Sequence, residues 1–510
     1  MAQGGRSGGI IEGITLGPSQ AGPVYRQIHA RIRSAITDGR LPPGARLPSW
    51  NSLAAQLGVA RGTVKAAYDW LAGEGLVVGR GPAGTIVNPA LRLSPSGDGP
   101  SGPSPLAADP LDLDQPAPVR PFQPGLPAVD AFPRKLWCRL VARHASRLTE
   151  AAMGYPDPAG DPELRTALAT YLGVARGIAC TAGQIFVTAG FAGALDLISR
   201  ALLRPGDRVW MEDPGFPRTR QGLVLAGAEL VPIPVDGEGL DVRRGMARAP
   251  GVRLVVVTPS HQAPLGMRLS LPRRLELLRW AGASGAWIVE DDYYGEFRLE
   301  GPPLPALKSL DASGRVIYVG TFSKVLMPAL RLGYAVLPPE AVERFAAVAS
   351  CLAPAQAPPI QRAVAEFMAA GHLGRHLRRM RSLYVRRRDA LLAALREACD
   401  DRAVVDAGHA GMNLLLRLPP GTDDVALARR AAAAGLGPVP LSTWAVEAGC
   451  GPGLLLSFTN IPVEAAARYA QSLAALLPAS RRKGDAIGRQ ASARSTLLLE
   501  GASRRYEGDG

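Results

Sequence analysis

Lysine is nearly missing from this chain. Of its 58 basic residues only five are lysines: Lys65, Lys135, Lys308, Lys324 and Lys483. Cysteine is sparse too. The five present, Cys138, Cys180, Cys351, Cys399 and Cys450, lie far apart, with no CxxC pair and no metal-ligand spacing. That pattern argues against a disulfide framework, predicts no metal site and fits a reducing cytoplasm. No run of about 18 apolar residues occurs, so no membrane span is predicted. Residues 1–22 are glycine-rich and polar, without the charged-then-apolar layout of a secretory signal, and are expected to be disordered.

What is present points elsewhere. The length of 510 residues suggests two to four domains and ample chain for a large core. A hydrophobic content of 47% is ordinary for a globular protein. The net charge of +14 and a pI near 10.0 are compatible with a nucleic-acid partner.

One of the rare lysines sits in a telling context. Val316-Ile-Tyr-Val319 reads as a buried strand, and Gly320, Thr321, Ser323, Lys324 and Arg331 follow it. Backbone N–H groups and hydroxyls can hold a phosphate there, and Arg331 can pair with it bidentately. Lys324 can attack a neighbouring carbonyl to form a Schiff base, which an always-protonated guanidinium cannot do.

Residues 23–88 form a separate basic unit. Val24, Ile28, Ile32 and Ile36 have helical spacing, and Gly39 ends that helix. Ser49 can cap a second helix through Leu57. Gly58 and Val59 make a tight turn, and a third helix runs from Arg61 to about Glu74. Leu76–Val78 and Thr85–Val87 read as short strands around the loop 80–84. The pattern is a winged helix-turn-helix. Its third helix would enter the major groove with Arg61 and Lys65 on one face. Thr63 near the helix start could reach a phosphate, and Arg80 on the wing could reach the minor groove or the backbone. The stretch LPSWNSLAAQLGVARGTVKAAYDWLAGEGLVVGRGPAGTIV (47–87) resembles the DNA-binding domain of the GntR family. That resemblance adds the start of the second helix, Ser49 and Asn51, to the DNA-facing set. Asn51 departs from the arginine usual in the family.

Residues 89–119 are rich in Pro, Gly, Ser and Asp, with little to bury, and read as a linker. Roughly 30 residues at about 3 Å each could extend up to about 90 Å, enough to swap domains across a dimer. The tail, 479–510, is polar and expected to be disordered.

Residues 120–478 alternate short apolar strands with helical segments, predicting an α/β domain with a central, mainly parallel sheet. Ile185–Thr188 runs into the small residues 189–193, and a helix is predicted from Ala194 to Leu203. Other strand ends deliver Phe216, the loop 259–266 and Glu290-Asp-Asp-Tyr293. An acid, a phenol, an aromatic face, a lysine and phosphate donors are what a pyridoxal phosphate site requires.

The motifs GYPDPAGDPELRTALATYLGVARGI, VTAGFAGALDLI, EDPGFP, TPSHQAPLG, EDDYYGEF and TFSKVLMPALRLGY resemble fold-type I aminotransferases. With the N-terminal unit they resemble MocR/GabR-type regulators. The resemblance implies a large aminotransferase-like domain with a smaller C-terminal α+β subdomain. It places pyridoxal 5'-phosphate on Lys324, Asp291 at the pyridine nitrogen, Tyr293 at O3′ and Phe216 on the ring face. Gln262, or alternatively His261, would lie at the ring edge. Gly190, Phe191, Thr321, Ser323 and Arg331 would hold the phosphate, with Tyr155 reaching the neighbouring subunit's phosphate.

One departure bears on function. Aminotransferases commonly carry an arginine in the last sheet segment for the substrate carboxylate, and 451–459 has none. The expectation is therefore a cytoplasmic, homodimeric, DNA-binding transcriptional regulator that uses pyridoxal phosphate to sense a small effector. That effector could be an amine, an amino acid, a sulfonate or pyridoxal phosphate itself. The alternative is a working aminotransferase with a DNA-binding appendage.

Overall fold

The computed structural model describes residues 23–81, 84–91, 118–299, 305–352, 357–406 and 411–478. The expectations for residues 1–22, for most of the linker (92–117), for the wing tip (82–83) and for the tail (479–510) lie outside the described residues. The chain divides into two compact units, residues 1–108 and 109–510.

In the first unit, Ile28, Ile32 and Ile36 fall four apart and are buried on one face of α1 (Val24–Thr37). α2 (Trp50–Leu57) starts where Ser49 Oγ accepts the Ser52 N–H at 3.1 Å. It ends at Gly58, whose φ of 63° is left-handed backbone suited to a residue without Cβ. α3 (Arg61–Gly73) stops just short of Glu74, because Gly75 at φ 71° turns the chain. β1 (Val77–Gly79) and β2 (Thr85–Val87) pair antiparallel, Val77 opposite Val87. Ile28, Leu53, Val64, Leu71 and Val87 share one core. Each such burial contributes roughly 1.5–3 kcal/mol.

The second unit holds an eight-stranded sheet. Its strands are β3 (Ile185–Thr188), β4 (Arg208–Asp213), β5 (Glu229–Asp236), β6 (Gly239–Leu240), β7 (Leu254–Val257), β8 (Trp287–Asp291), β9 (Val316–Thr321) and β10 (Gly333–Val336). The order is β3-β10-β9-β8-β7-β4-β5-β6. The ladder β9-β8-β7-β4-β5 is parallel; β10 runs antiparallel to both β9 and β3. Leu254-Val-Val-Val257 is buried at every position, as a strand covered on both faces must be. β4, β8 and β9 run two residues further than their apolar runs suggest, because neighbouring ladders pair their backbone. Asp291 and Thr321 therefore stand on strands, not in loops.

A second sheet, order β11-β12-β14-β13, is antiparallel: β11 (Val404–Asp406), β12 (Asn413–Arg417), β13 (Val439–Pro440) and β14 (Gly453–Ser457). Strand alternation splits its leucines. Leu414, Leu416, Leu454 and Leu456 join the core of helices His372–Cys399 and Ala466–Ala474. Leu415, Leu455 and Val439 form another cluster with Phe216, Leu265 and Tyr293.

Candidate cofactor site and nucleic-acid interface

Sheet topology assembles the site. Strands β3, β4, β7, β8 and β9 all run the same way, so their C-terminal ends share one edge, where ligands bind in such sheets. Off that edge come Gly190, Phe216, His261 and Gln262, Asp291 and Tyr293, and Thr321 to Lys324. Gly333 pairs with both Thr188 and Thr321, setting the start of helix Gly190–Leu202 beside Thr321.

That helix begins at Gly190, four residues before the predicted Ala194, so Gly190 and Phe191 form its first turn with N–H groups unused by the helix. Gly190 has φ 71°, and a Cβ there would come 3.9 Å from the Arg331 guanidinium. Arg331 is itself left-handed at φ 46°, a conformation costing an L-residue roughly 1–2 kcal/mol. Its side chain is exposed and donates to Ala189 O at 3.4 Å. Thr321 Oγ1 accepts the Ser323 N–H at 3.1 Å.

The half-buried Lys324 donates from Nζ to Gly125 O at 2.7 Å. Gly125 has φ 88°, and a Cβ there would lie 3.2 Å from that nitrogen. Asp291 is buried, and burial, reinforced by Asp292 and Glu212, holds its carboxyl well above the usual range; Lys324 pulls the other way. Burial likewise raises the Tyr293 phenol. Phe216 caps helix Pro217–Leu225, with its ring 6.4 Å from Phe191 and 5.6 Å from Trp444.

The two ring-edge alternatives differ. Gln262 is committed: Nε2 donates to Pro214 O at 2.8 Å and Ala263 O at 2.9 Å, and Oε1 accepts Leu265 N–H at 3.1 Å. A ring contact donated by Gln262 would have to replace one of the Nε2 bonds. His261 is buried 6.1 Å from Tyr293 and 5.4 Å from Tyr294, with Nδ1 lacking a partner. Burial lowers its pKa to about 4, so the imidazole is neutral. Tyr155 is fully exposed.

Other groups escaped sequence reasoning. Gly125 lies 199 residues from the lysine it covers. Arg176 makes a buried ion pair with Asp292 and donates to Ser260 Oγ at 3.2 Å, while the Tyr318 hydroxyl donates to Asp292 at 2.7 Å. This brace fixes the turn after Asp291, and a Cβ at Gly295 would collide with Asp292 and Arg176. Glu212 accepts the Thr258 hydroxyl at 2.5 Å and is raised by burial to about 7. The acid in EDPGFP was the available signal for Glu212; the others have no local signature.

Glu212 gives a pH prediction. Its folded pKa exceeds the reference 4.5, so the native state holds the extra proton and stability falls as pH rises from about 4.5 to 7. The loss reaches the order of 3 kcal/mol above pH 7. Glu212→Gln should flatten the melting temperature between pH 5 and 8. Part of the slope will remain, because burial also raises Glu290 to about 7. An unchanged slope would refute this.

In the first unit, Ser49, Asn51, Arg61, Lys65 and Arg80 are exposed and Thr63 is half-buried. Ser49's oxygen serves as the α2 cap, and the Arg80 N–H closes the wing loop on Gly84 O at 2.8 Å. Lys65 Nζ lies 5.3 Å over the ring of Trp50, which is 46% exposed. An aromatic held open to solvent beside these residues was not anticipated.

Together, the fold and this edge define a class I and II aminotransferase domain preceded by a winged helix. Residues 132–436 match the family "Aminotransferase class I and II", and residues 24–87 match "Bacterial regulatory proteins, gntR family". The chain belongs to the MocR-type transcriptional regulators, which join these two domains. It is 38% identical to the probable rhizopine catabolism regulatory protein MocR of Rhizobium meliloti, over 86% of this chain and 90% of that protein. It is 35% identical to the pyridoxine biosynthesis transcriptional regulator PdxR of Corynebacterium glutamicum, over 74% and 79%. Among solved structures, the kynurenine aminotransferase of Pyrococcus horikoshii, in complex with PMP, aligns with a TM-score of 0.64 at 29% identity. That alignment covers 71% of this chain and 91% of that one.

Proposed function

We propose that the large unit binds pyridoxal 5'-phosphate on Lys324 and senses a small effector, changing the affinity of the winged-helix unit for an operator duplex. The observation that carries this is the meeting of Lys324, Asp291, Tyr293, Phe216 and the hydroxyls Thr321 and Ser323 at one sheet edge. The donor set fits the cofactor. Gly125 leaves room beside the amine that a Cβ would fill, and Asp291 is a buried carboxyl that a cationic ring nitrogen would draw back to its charged form. When bound, the cofactor supplies an electrophilic carbonyl for amines. Phe216 would stack on its ring, Tyr293 would face O3′, and Gly190, Phe191, Thr321, Ser323 and Arg331 would hold its phosphate. His261, rather than the committed Gln262, has hydrogen-bonding capacity free for the ring edge.

Exposed Tyr155 suits a role across a homodimer, which the long linker permits to be domain-swapped. Among the described residues no helix is long and apolar enough to cross a membrane, and no cluster of metal ligands occurs. The names of MocR and PdxR tie those relatives to rhizopine catabolism and pyridoxine biosynthesis, so small-molecule metabolism is the field in which the effector of this chain belongs. Coupling of about 1–3 kcal/mol would change operator affinity roughly 5–150-fold. The test is titration of the purified chain with pyridoxal phosphate. A visible band, bleached by borohydride as the cofactor becomes fixed to the peptide carrying Lys324, is the expected result; a colourless protein sinks the reading. Sustained production of 2-oxo acid from an amino acid would instead favour a working aminotransferase.

The DNA half makes its own prediction. Lys65→Ala should lower the slope of log K against log salt by about 1. Trp50→Ala should weaken binding by about two- to fivefold, the worth of an exposed cation–π contact that steadies Lys65. Fluorescence anisotropy on a duplex selected by the parent chain reads both. Unchanged values would show that this face does not meet DNA.

A further inference from the structure

On the reading that Lys324 carries the cofactor, we infer that the effector is a primary amine whose body is uncharged, without a carboxylate or sulfonate where it meets the small sheet. The sheet's alternation sets this. Leu414, Leu416, Leu454 and Leu456 turn to the helices, leaving Asn413, Leu415 and Leu455 on the face toward Phe216 and Tyr293. Leu415 and Leu455 are cross-strand partners, so they make a continuous apolar wall. The one cation at the same alternation on β12, Arg417, sits at the outer end opposite Gly453 and is exposed. Arg220, in the helix that Phe216 caps, donates to Thr443 O at 3.4 Å, and Arg248 grips Glu447 through two hydrogen bonds.

An anion pressed on this wall would lose its water and gain no counter-charge from the wall's own side chains. Neutral polar groups fare differently. The Nε1 of buried Trp444 and the Oδ1 of Asn413 both lack partners. One is a fixed donor and the other an acceptor. Hydroxyl or ether oxygens on an otherwise apolar body satisfy such a set, whereas a bare hydrocarbon leaves it unpaired.

The matched pair L-valinol and L-valine tests this, because they differ in a hydroxymethyl group in place of the carboxylate. Each is titrated into the full-length chain loaded with pyridoxal phosphate, read by the cofactor absorbance and by calorimetry. Valinol is expected to bind at least about tenfold more tightly than valine, and Leu455→Arg to reverse the order. Equal or tighter binding of valine by the parent chain overturns the inference, as does an unchanged ratio in Leu455→Arg. If neither compound registers on the parent chain, a gained valine response in the variant supports the placement and no gain refutes it. Leu265→Arg, at a half-buried position of the same cluster, serves where Leu455→Arg fails to take up cofactor. A parent chain that takes up no cofactor refutes the proposed function instead, which keeps the two failures distinct.

Discussion

A Lys324→Ala variant mixed with pyridoxal phosphate will keep no coloured adduct through gel filtration, and borohydride will fix none. The parent chain will retain both. The expected loss is complete, because the chemistry needs an amine and the chain offers few. Lys65 and Lys135 are exposed on helices. Lys308 is the instructive control. Burial lowers its pKa, which makes it a better nucleophile than an ordinary lysine. Yet its Nζ donates to Val316 O at 2.6 Å, at the start of β9, whereas Lys324 follows the end of that strand. Lys308→Ala should therefore keep the band. Loss of colour in Lys308→Ala but not in Lys324→Ala would move the site to the other edge of the sheet.

The second large effect is on stability. Arg176→Met should destabilise the large unit by about 3–5 kcal/mol, because it strands the Asp292 carboxylate in the interior with only the Tyr318 hydroxyl for company. The double variant Arg176→Met with Asp292→Asn should recover much of that loss, since the stranded charge is then gone. Denaturant midpoints of the three variants measure the coupling. Cofactor affinity should fall with the single change, because the brace holds the turn between Asp291 and Tyr293. A loss below about 1 kcal/mol would show that water reaches Asp292 and that the pair is a surface feature.

The same residues show how far a linear reading can go. Lys324 was legible because one amine in an arginine-dominated chain, placed after an apolar strand among hydroxyls, is chemically conspicuous. The winged helix was legible because its information is local: isoleucines four apart, a serine cap, a glycine at a left-handed turn. Asp291, Tyr293 and Phe216 were legible as strand-end residues through their motifs. The helix start at Gly190 and the extended ends of β8 and β9 were not, since neighbouring strands, not nearby residues, complete their backbone hydrogen bonds.

Local order in the chain thus dictated the kind of machine: two domains, a basic head, a strand-end lysine among hydroxyls. Folding over long separations settled what each group can do. It laid Gly125 over Lys324, engaged both amide hydrogens of Gln262 while leaving His261 open, paired Arg176 with Asp292 and turned Leu415 and Leu455 toward Phe216 and Tyr293. Periodicity reports which face of an element is buried, but not which other element buries it. Charge state, free valence and the character of a pocket wall depend on that second fact.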